Sequence, residues 1–268
     1  MPTRTAQAEF IEIDGVRLEC RFIGRPVPGR PTLVFLHEGL GCLSLWWQFP
    51  EMLAQQTGLA AFIYSRAGYG QSDPAPLPRP ITFMHQEAEV LARVIAHCNL
   101  GETILVGHSD GASIALIYTA RADSQKVQAL VLEAPHVFTE PSGLDSIAQI
   151  AETYRATNTL RSKLMRHHGS NADIAFWGWN DVWLHPGFRA WNIEAELPQI
   201  KVPTLIIQGE TDEYGTWRQV EAIRQQSGGP VEAIGIPDCG HAPHREHSEA
   251  TLAAMADFIN KHLTCKTG

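Results

Sequence analysis

Thr103-Ile104-Leu105-Val106-Gly107-His108-Ser109-Asp110-Gly111-Ala112-Ser113-Ile114-Ala115-Leu116-Ile117 divides into three pieces. Residues 103–106 are an apolar run of strand length, and residues 112–117 have the character of a helix. Between them, G-x-S-x-G at a strand-to-helix junction is how a chain lifts a serine hydroxyl clear of a sheet. The two glycines flank Ser109 because side chains in so sharp a turn would collide with the neighbouring strand and helix. The helix that follows aims free backbone N–H groups back at the serine, where a negative oxygen could form. Chemistry at Ser109 then requires a base, an acid and a second amide donor from elsewhere in the chain.

Working outward, other short apolar runs alternate with helical patterns. Phe10–Ile13 and Val16–Phe22 flank Asp14-Gly15 and read as an antiparallel hairpin with a tight turn. Thr32–Leu36, Leu59–Tyr64, Thr103–Val106, Val127–Leu132 and Thr204–Ile207 are mostly continuous hydrophobic runs, as expected of strands covered on both faces in a parallel sheet. Val231–Ile236 completes the set. Helices are predicted over Gln48–Thr57, Thr82–Asn99, Gly111–Asp123, Thr216–Ser227 and Ser248–His262. The block 137–197 breaks the alternation: it offers helical stretches, no good strand, and Trp177, Trp179, Trp183 and Trp191. It reads as a helical cap over the serine, enclosing a pocket for a small or medium-sized molecule. The core domain is then 1–136 with 198–268.

Open parallel sheets place their sites just past the C-terminal ends of strands. Gln208-Gly209-Glu210-Thr211-Asp212-Glu213 and Asp238-Cys239-Gly240-His241-Ala242-Pro243 both lie there. Asp212 and His241 are the candidate acid and base for Ser109, in the chain order serine, acid, histidine. Glu133, at the end of an earlier strand, is the fallback acid. The amide of Asp110 is one expected oxyanion donor, and the loop His37–Gly41 should supply the other. Metal readings fail: His37-Glu38 lacks a second histidine at zincin spacing, and His241, His244 and His247 run through Pro243 without helix evidence. Gly68-Tyr69-Gly70 lacks the third glycine of a dinucleotide fingerprint.

Bulk properties narrow the partners. With 268 residues and a formal net charge of −8, the chain has no long basic run, so nucleic acid and anionic membrane are not expected partners. Residues 1–7 have no apolar core of a secretory signal, and no apolar run approaches bilayer length. Five scattered cysteines (Cys20, Cys42, Cys98, Cys239 and Cys265) fit reduced thiols in a cytoplasm better than a disulfide framework. A homo-oligomer is compatible with this composition.

Five motifs in order then carry a resemblance that covers nearly all of the chain. They are Leu36-His37-Glu38-Gly39-Leu40-Gly41, Ser65-Arg66-Ala67-Gly68-Tyr69-Gly70-Gln71-Ser72, Gly107–Gly111, Gly209–Asp212 and Gly240–Pro243. The chain resembles the α/β-hydrolase superfamily. That resemblance implies an α/β fold with a mostly parallel eight-stranded sheet flanked by helices, a helical cap after the sixth strand, and no cofactor. It implies Ser109 as nucleophile, Asp212 as acid, His241 as base, and Gly39 with Asp110 as oxyanion donors. Two positions depart from the pattern: Glu38 stands where glycine is usual, and Asp110 follows the nucleophile. Glu38 is read as structurally bonded rather than substrate-binding, and Arg66 as a buried ion-pair partner. A serine nucleophile argues against the haloalkane dehalogenases and epoxide hydrolases, which use aspartate. Leu40, Trp46, His108, Val137, Phe138, Trp177 and Trp183 are the expected pocket lining. The expected activity is hydrolysis of a small ester, thioester or lactone, with perhydrolysis as a side reaction. Carbon–carbon hydrolysis of vinylogous diketones and ligand reception without turnover are the alternatives.

Overall fold

Residues 9–121 and 126–264 are described in a computed structural model. Two expectations, Cys265 and the predicted continuation of a helix to Asp123, fall outside these residues, as does the amino-terminal heptapeptide. The strands are β1 (Glu9–Ile13), β2 (Val16–Ile23), β3 (Thr32–Leu36), β4 (Ala61–Tyr64), β5 (Thr103–His108), β6 (Val127–Glu133), β7 (Thr204–Gly209) and β8 (Val231–Ile236). They form one eight-stranded sheet in the order β1-β2-β4-β3-β5-β6-β7-β8. Pairing is antiparallel for β1–β2 and β2–β4 and parallel from β4 to β8. The hairpin turns at Asp14 (φ 52°) and Gly15 (φ 78°), two left-handed residues whose twist suits paired strands.

Helices α1 (Phe49–Thr57), α2 (Phe83–His97), α3 (Asp110–Thr119), α7 (Trp217–Gln226), α8 (Pro243–Glu246) and α9 (Ser248–Thr264) belong to this body. Helices α4 (Pro141–Ala156), α5 (Asn158–His168) and α6 (Ala172–Trp183) lie between β6 and β7. Alternation along β3 explains the layers. Leu33 and Phe35 point into a core shared with α1 and α9, whereas Val34 and Leu36 join the core made with α2, α3 and α7. Continuous apolar runs are therefore needed, since both faces are covered. Strand β4 starts at Ala61 rather than Leu59, because α1 ends on Gly58 in the left-handed region (φ 64°) and the chain must still turn into the sheet.

The insertion is closed at its base by a β-bridge between Phe138 and Asn192. Its inner surface continues the core around α3: Ile147, Tyr154, Phe176, Trp179 and Trp183 are all buried there. Among the described residues, no helix is long and apolar enough to cross a membrane.

Candidate active site

Ser109 closes β5 and precedes α3 with φ 53° and ψ −116°, a conformation that side-chain-bearing residues adopt only under strain. The turn is held from both sides. Ser109 N–H donates to the Glu133 carbonyl at 2.9 Å, and the Ser109 carbonyl accepts from Ala112 and Ser113 N–H at 2.9 and 3.0 Å. A Cβ at Gly107 would lie 2.6 Å from the Gly111 carbonyl oxygen, and one at Gly111 would overlap the Leu36 carbonyl. The two glycines let α3 start against β3 and β5, which brings the serine to the sheet's edge.

Asp212 follows β7 and His241 follows β8. The Nδ1–H of His241 donates to Asp212, with both carboxylate oxygens at 2.9 Å. Asp212 also accepts from Tyr214 N–H at 2.8 Å and from Gln208 Nε2 at 2.7 Å. Burial pushes its pKa up, but the His241 charge and hydrogen bond, with the Tyr214 amide, prevail and hold it at about 2. With Nδ1–H committed, Nε2 of His241 is the nitrogen left to act as a base. Ser109 and His241 line the same cavity, and no hydrogen bond joins them directly, a looseness usual before substrate binds. The loop bearing His241 is tied down at its backbone: Nε2–H of His108 donates to the His241 carbonyl at 2.7 Å, and Glu246 accepts from Gly240 N–H at 2.7 Å.

Glu133 serves another imidazole. Its Oε2 accepts from both N–H and Nδ1–H of His244 at 2.9 Å, which removes it as the fallback partner of His241. His247 donates to the Asp238 carbonyl, so the three histidines after β8 do not converge.

Buried His108 faces the partly exposed Glu38 carboxylate, with His108 Nδ1 3.5 Å from Glu38 Oε2. Burial opposes charge on His108, but the nearby Glu38 carboxylate, reinforced by Glu133, raises its pKa to about 9. Burial likewise opposes charge on Glu38, and His108 overcomes it, keeping the carboxyl well below the usual range. An unpaired carboxylate one residue from Gly39 would repel negative charge developing beside it; positive charge on His108 offsets part of that field. Arg66 is buried as expected, but it forms no ion pair within the described residues. It donates to the carbonyls of His37 and Glu38 and so fixes this loop.

The cavity measures about 100 Å³, and its wall includes Gly39, Leu40, Ser109, Trp183 and His241 together with Glu38, His136, Glu140, Trp179 and Tyr214. Of the expected lining residues, Leu40 and Trp183 stand in this wall. Trp46, His108, Phe138 and Trp177 are absent from this wall, as is the buried core residue Val137. Trp46 packs on Phe35 and His244 at 5.2 and 4.6 Å, outside the cavity. His108 lies behind His241, its ring 5.1 Å away. Phe138 is spent on the bridge to Asn192 and lies under Arg218. Trp177 packs against Tyr154 and Arg155. The reason is helical geometry: at about 100° per residue, Trp179 and Trp183 share a face of α6, and Trp177 points elsewhere. The i, i+4 spacing was available in the sequence and would have selected Trp179.

His136 and Glu140, also unread from the sequence, come from the crossover after β6. Glu140 is satisfied by Thr216 N–H, Thr216 Oγ1 and Gln219 Nε2. The His136 ring lies 5.4 Å from Trp183 and 5.8 Å from His241, and neither ring nitrogen has a hydrogen-bond partner among the described residues. Burial, aided by the His241 charge, lowers its pKa to about 4, which keeps it neutral.

Comparison with known proteins bears on the fold and the family. Residues 33–254 match the model of the alpha/beta hydrolase family. A proline iminopeptidase of Lactobacillus helveticus is 23% identical over 270 residues, covering 87% of this chain and 91% of that protein. Among solved structures, a thermophilic esterase from Thermogutta terrifontis superposes with TM-score 0.74 at 20% identity, covering 96% of this chain and 99% of that one. The enol-lactonase from Burkholderia xenovorans LB400 gives TM-score 0.71 at 20% identity, covering 94% and 99%.

Proposed function

The chain belongs to the alpha/beta hydrolase family, and from that premise we propose that it cleaves a small carboxylic ester, thioester or lactone through an acyl-enzyme on Ser109. One observation carries the reading: the His241 imidazole is oriented by both oxygens of Asp212 and lines one cavity with Ser109. Nε2 of His241 takes the Ser109 proton as Oγ attacks the carbonyl carbon. The amides of Gly39 and Asp110 receive the oxyanion. Collapse breaks the bond to the leaving group, which departs with the proton from His241. Water then enters, gives its proton to His241 and its oxygen to the acyl carbon, and Ser109 is released with the proton returned. A cavity of about 100 Å³ favours a short acyl group. The compartment proposed is the cytoplasm, which free thiols at Cys20, Cys42, Cys98 and Cys239 support.

A second reading, cleavage of an amide at a free amino terminus, is favoured by the Glu38 carboxylate in the cavity wall, which could face an ammonium group. Turnover of p-nitrophenyl acetate against proline p-nitroanilide separates the two. For the first reading, Ser109→Ala is expected to abolish p-nitrophenyl acetate hydrolysis in a protein with unchanged thermal unfolding. Undiminished activity in that variant would overturn it.

A further inference from the structure

Gly39 and Asp110, whose amides are assigned to the oxyanion, are touched by the same cap helix. Trp183 Nε1–H donates to Asp110 Oδ1 at 3.1 Å. The other oxygen of that carboxyl, Oδ2, is buried without a hydrogen-bond partner among the described residues, so the indole is the hydrogen bond that locates the side chain. Four residues earlier on α6, Trp179 lies over Gly39. A Cβ added at residue 39 would overlap Cδ1 and Nε1 of the Trp179 ring, so the indole fills the space a side chain there would need. Trp179 is 7% exposed and lines the cavity, and its own Nε1–H has no hydrogen-bond partner among the described residues. An indole donor in a cavity wall with no protein partner is open to a ligand atom. Two indoles, one helical turn apart, therefore contact the two residues on which the oxyanion depends.

We propose that α6 is a positioning element of the oxyanion hole: Trp183 holds Asp110 in register, Trp179 seats Gly39, and the Trp179 indole N–H is a third donor to the substrate carbonyl oxygen. This rests on the reading of Ser109 as nucleophile. It accounts for the departure at Asp110 and for the glycine at position 39. Residue 39 has to be glycine to admit the indole, and residue 110 carries an acceptor because Trp183 carries the donor. Movement of the cap would then open or assemble the hole, linking chemistry to enclosure.

The test is steady-state and burst kinetics with p-nitrophenyl acetate on protein whose active sites are titrated with a fluorophosphonate. Trp183→Phe, which keeps most of the ring and loses the donor, should lower kcat by about 10–100-fold with KM changed less than about twofold, the mark of an interaction felt in the transition state. Trp179→Phe should lower kcat at least about fivefold in the same manner. Asp110→Leu, which removes the acceptor of the Trp183 indole, should lower kcat to the level of Trp183→Phe. Gly39→Ala should cost about 100-fold, and adding Trp179→Ala should restore at least about tenfold of it, because the removed indole makes room. Losses confined to KM or to the thermal midpoint, or additive losses in the Gly39→Ala/Trp179→Ala pair, would reduce the two tryptophans to packing and overturn the proposal. If the wild type neither turns over substrate nor labels at Ser109, the hydrolase reading fails and this inference falls with it. If labelling and wild-type turnover hold, only the role of α6 is at stake.

Discussion

Asp212 and Glu133 are buried carboxylates at the ends of neighbouring strands, and each binds an imidazole, His241 and His244 respectively. Only the first imidazole borders the cavity with Ser109. Asp212→Asn is expected to lower kcat by about 10⁴-fold, because an amide no longer orients and stabilises the His241 tautomer. Glu133→Gln is expected to keep kcat within about tenfold while lowering stability by about 1–3 kcal/mol, since it leaves His244 imperfectly bonded in the interior. Parallel kinetics and urea titrations check both; a reversed pattern would make Glu133 the acid. At this scale the sequence was legible where spacing along a strand end carried the information. It was not legible at His136, whose ring becomes part of the site only because the crossover after β6 packs beside His241.

The junction of β5 and α3 shows what an element can demand of a residue. Because α3 begins against the carbonyls of Leu36 and His37, Gly111 has no room for a Cβ. Gly111→Ala is expected to destabilise the protein by about 1–3 kcal/mol through forced backbone shifts. The urea midpoint should fall without a change in slope; an unchanged midpoint would show that the helix can slide away. The glycines could be read directly, since a sharp strand–helix turn needs them in any protein. Which tryptophans of α6 face inward depends on their positions around the helix rather than on their number. Trp177 and Trp183 are six residues apart and cannot share a face, whereas Trp179 and Trp183 do.

Over the whole molecule, buried histidines set opposite trends with pH. An exposed histidine in the unfolded chain titrates near about 6.5. His136 is pushed down to about 4 by burial, so between these values the unfolded chain binds a proton that the folded one refuses, and stability falls as pH drops. His108 is raised to about 9 by Glu38 and Glu133 in spite of burial. Between about 6.5 and 9 the folded chain keeps a proton that the unfolded one has lost, and stability falls as pH rises. Asp212, held at about 2, adds stability above the ordinary aspartate range that disappears as acid protonates it. Urea midpoints from pH 4 to 9 are expected to peak near about 6.5. A midpoint climbing steadily to pH 9 would mean that the His108 imidazolium is not held as described.

By itself, the sequence determined the alternation of buried strands and helices, the serine turn, and the acid and histidine that follow later strands. Those features depend on hydrophobic periodicity, backbone stereochemistry and chain order, which are local properties of the chain. Tertiary structure alone decided which groups enclose the cavity: that Glu38 faces His108, that Glu133 belongs to His244, and that Trp179 and Trp183 come down on Gly39 and Asp110. Each of these pairs joins residues from different elements, and the energy that selects them, from burial, charge pairing and close packing, exists only once those elements are in contact.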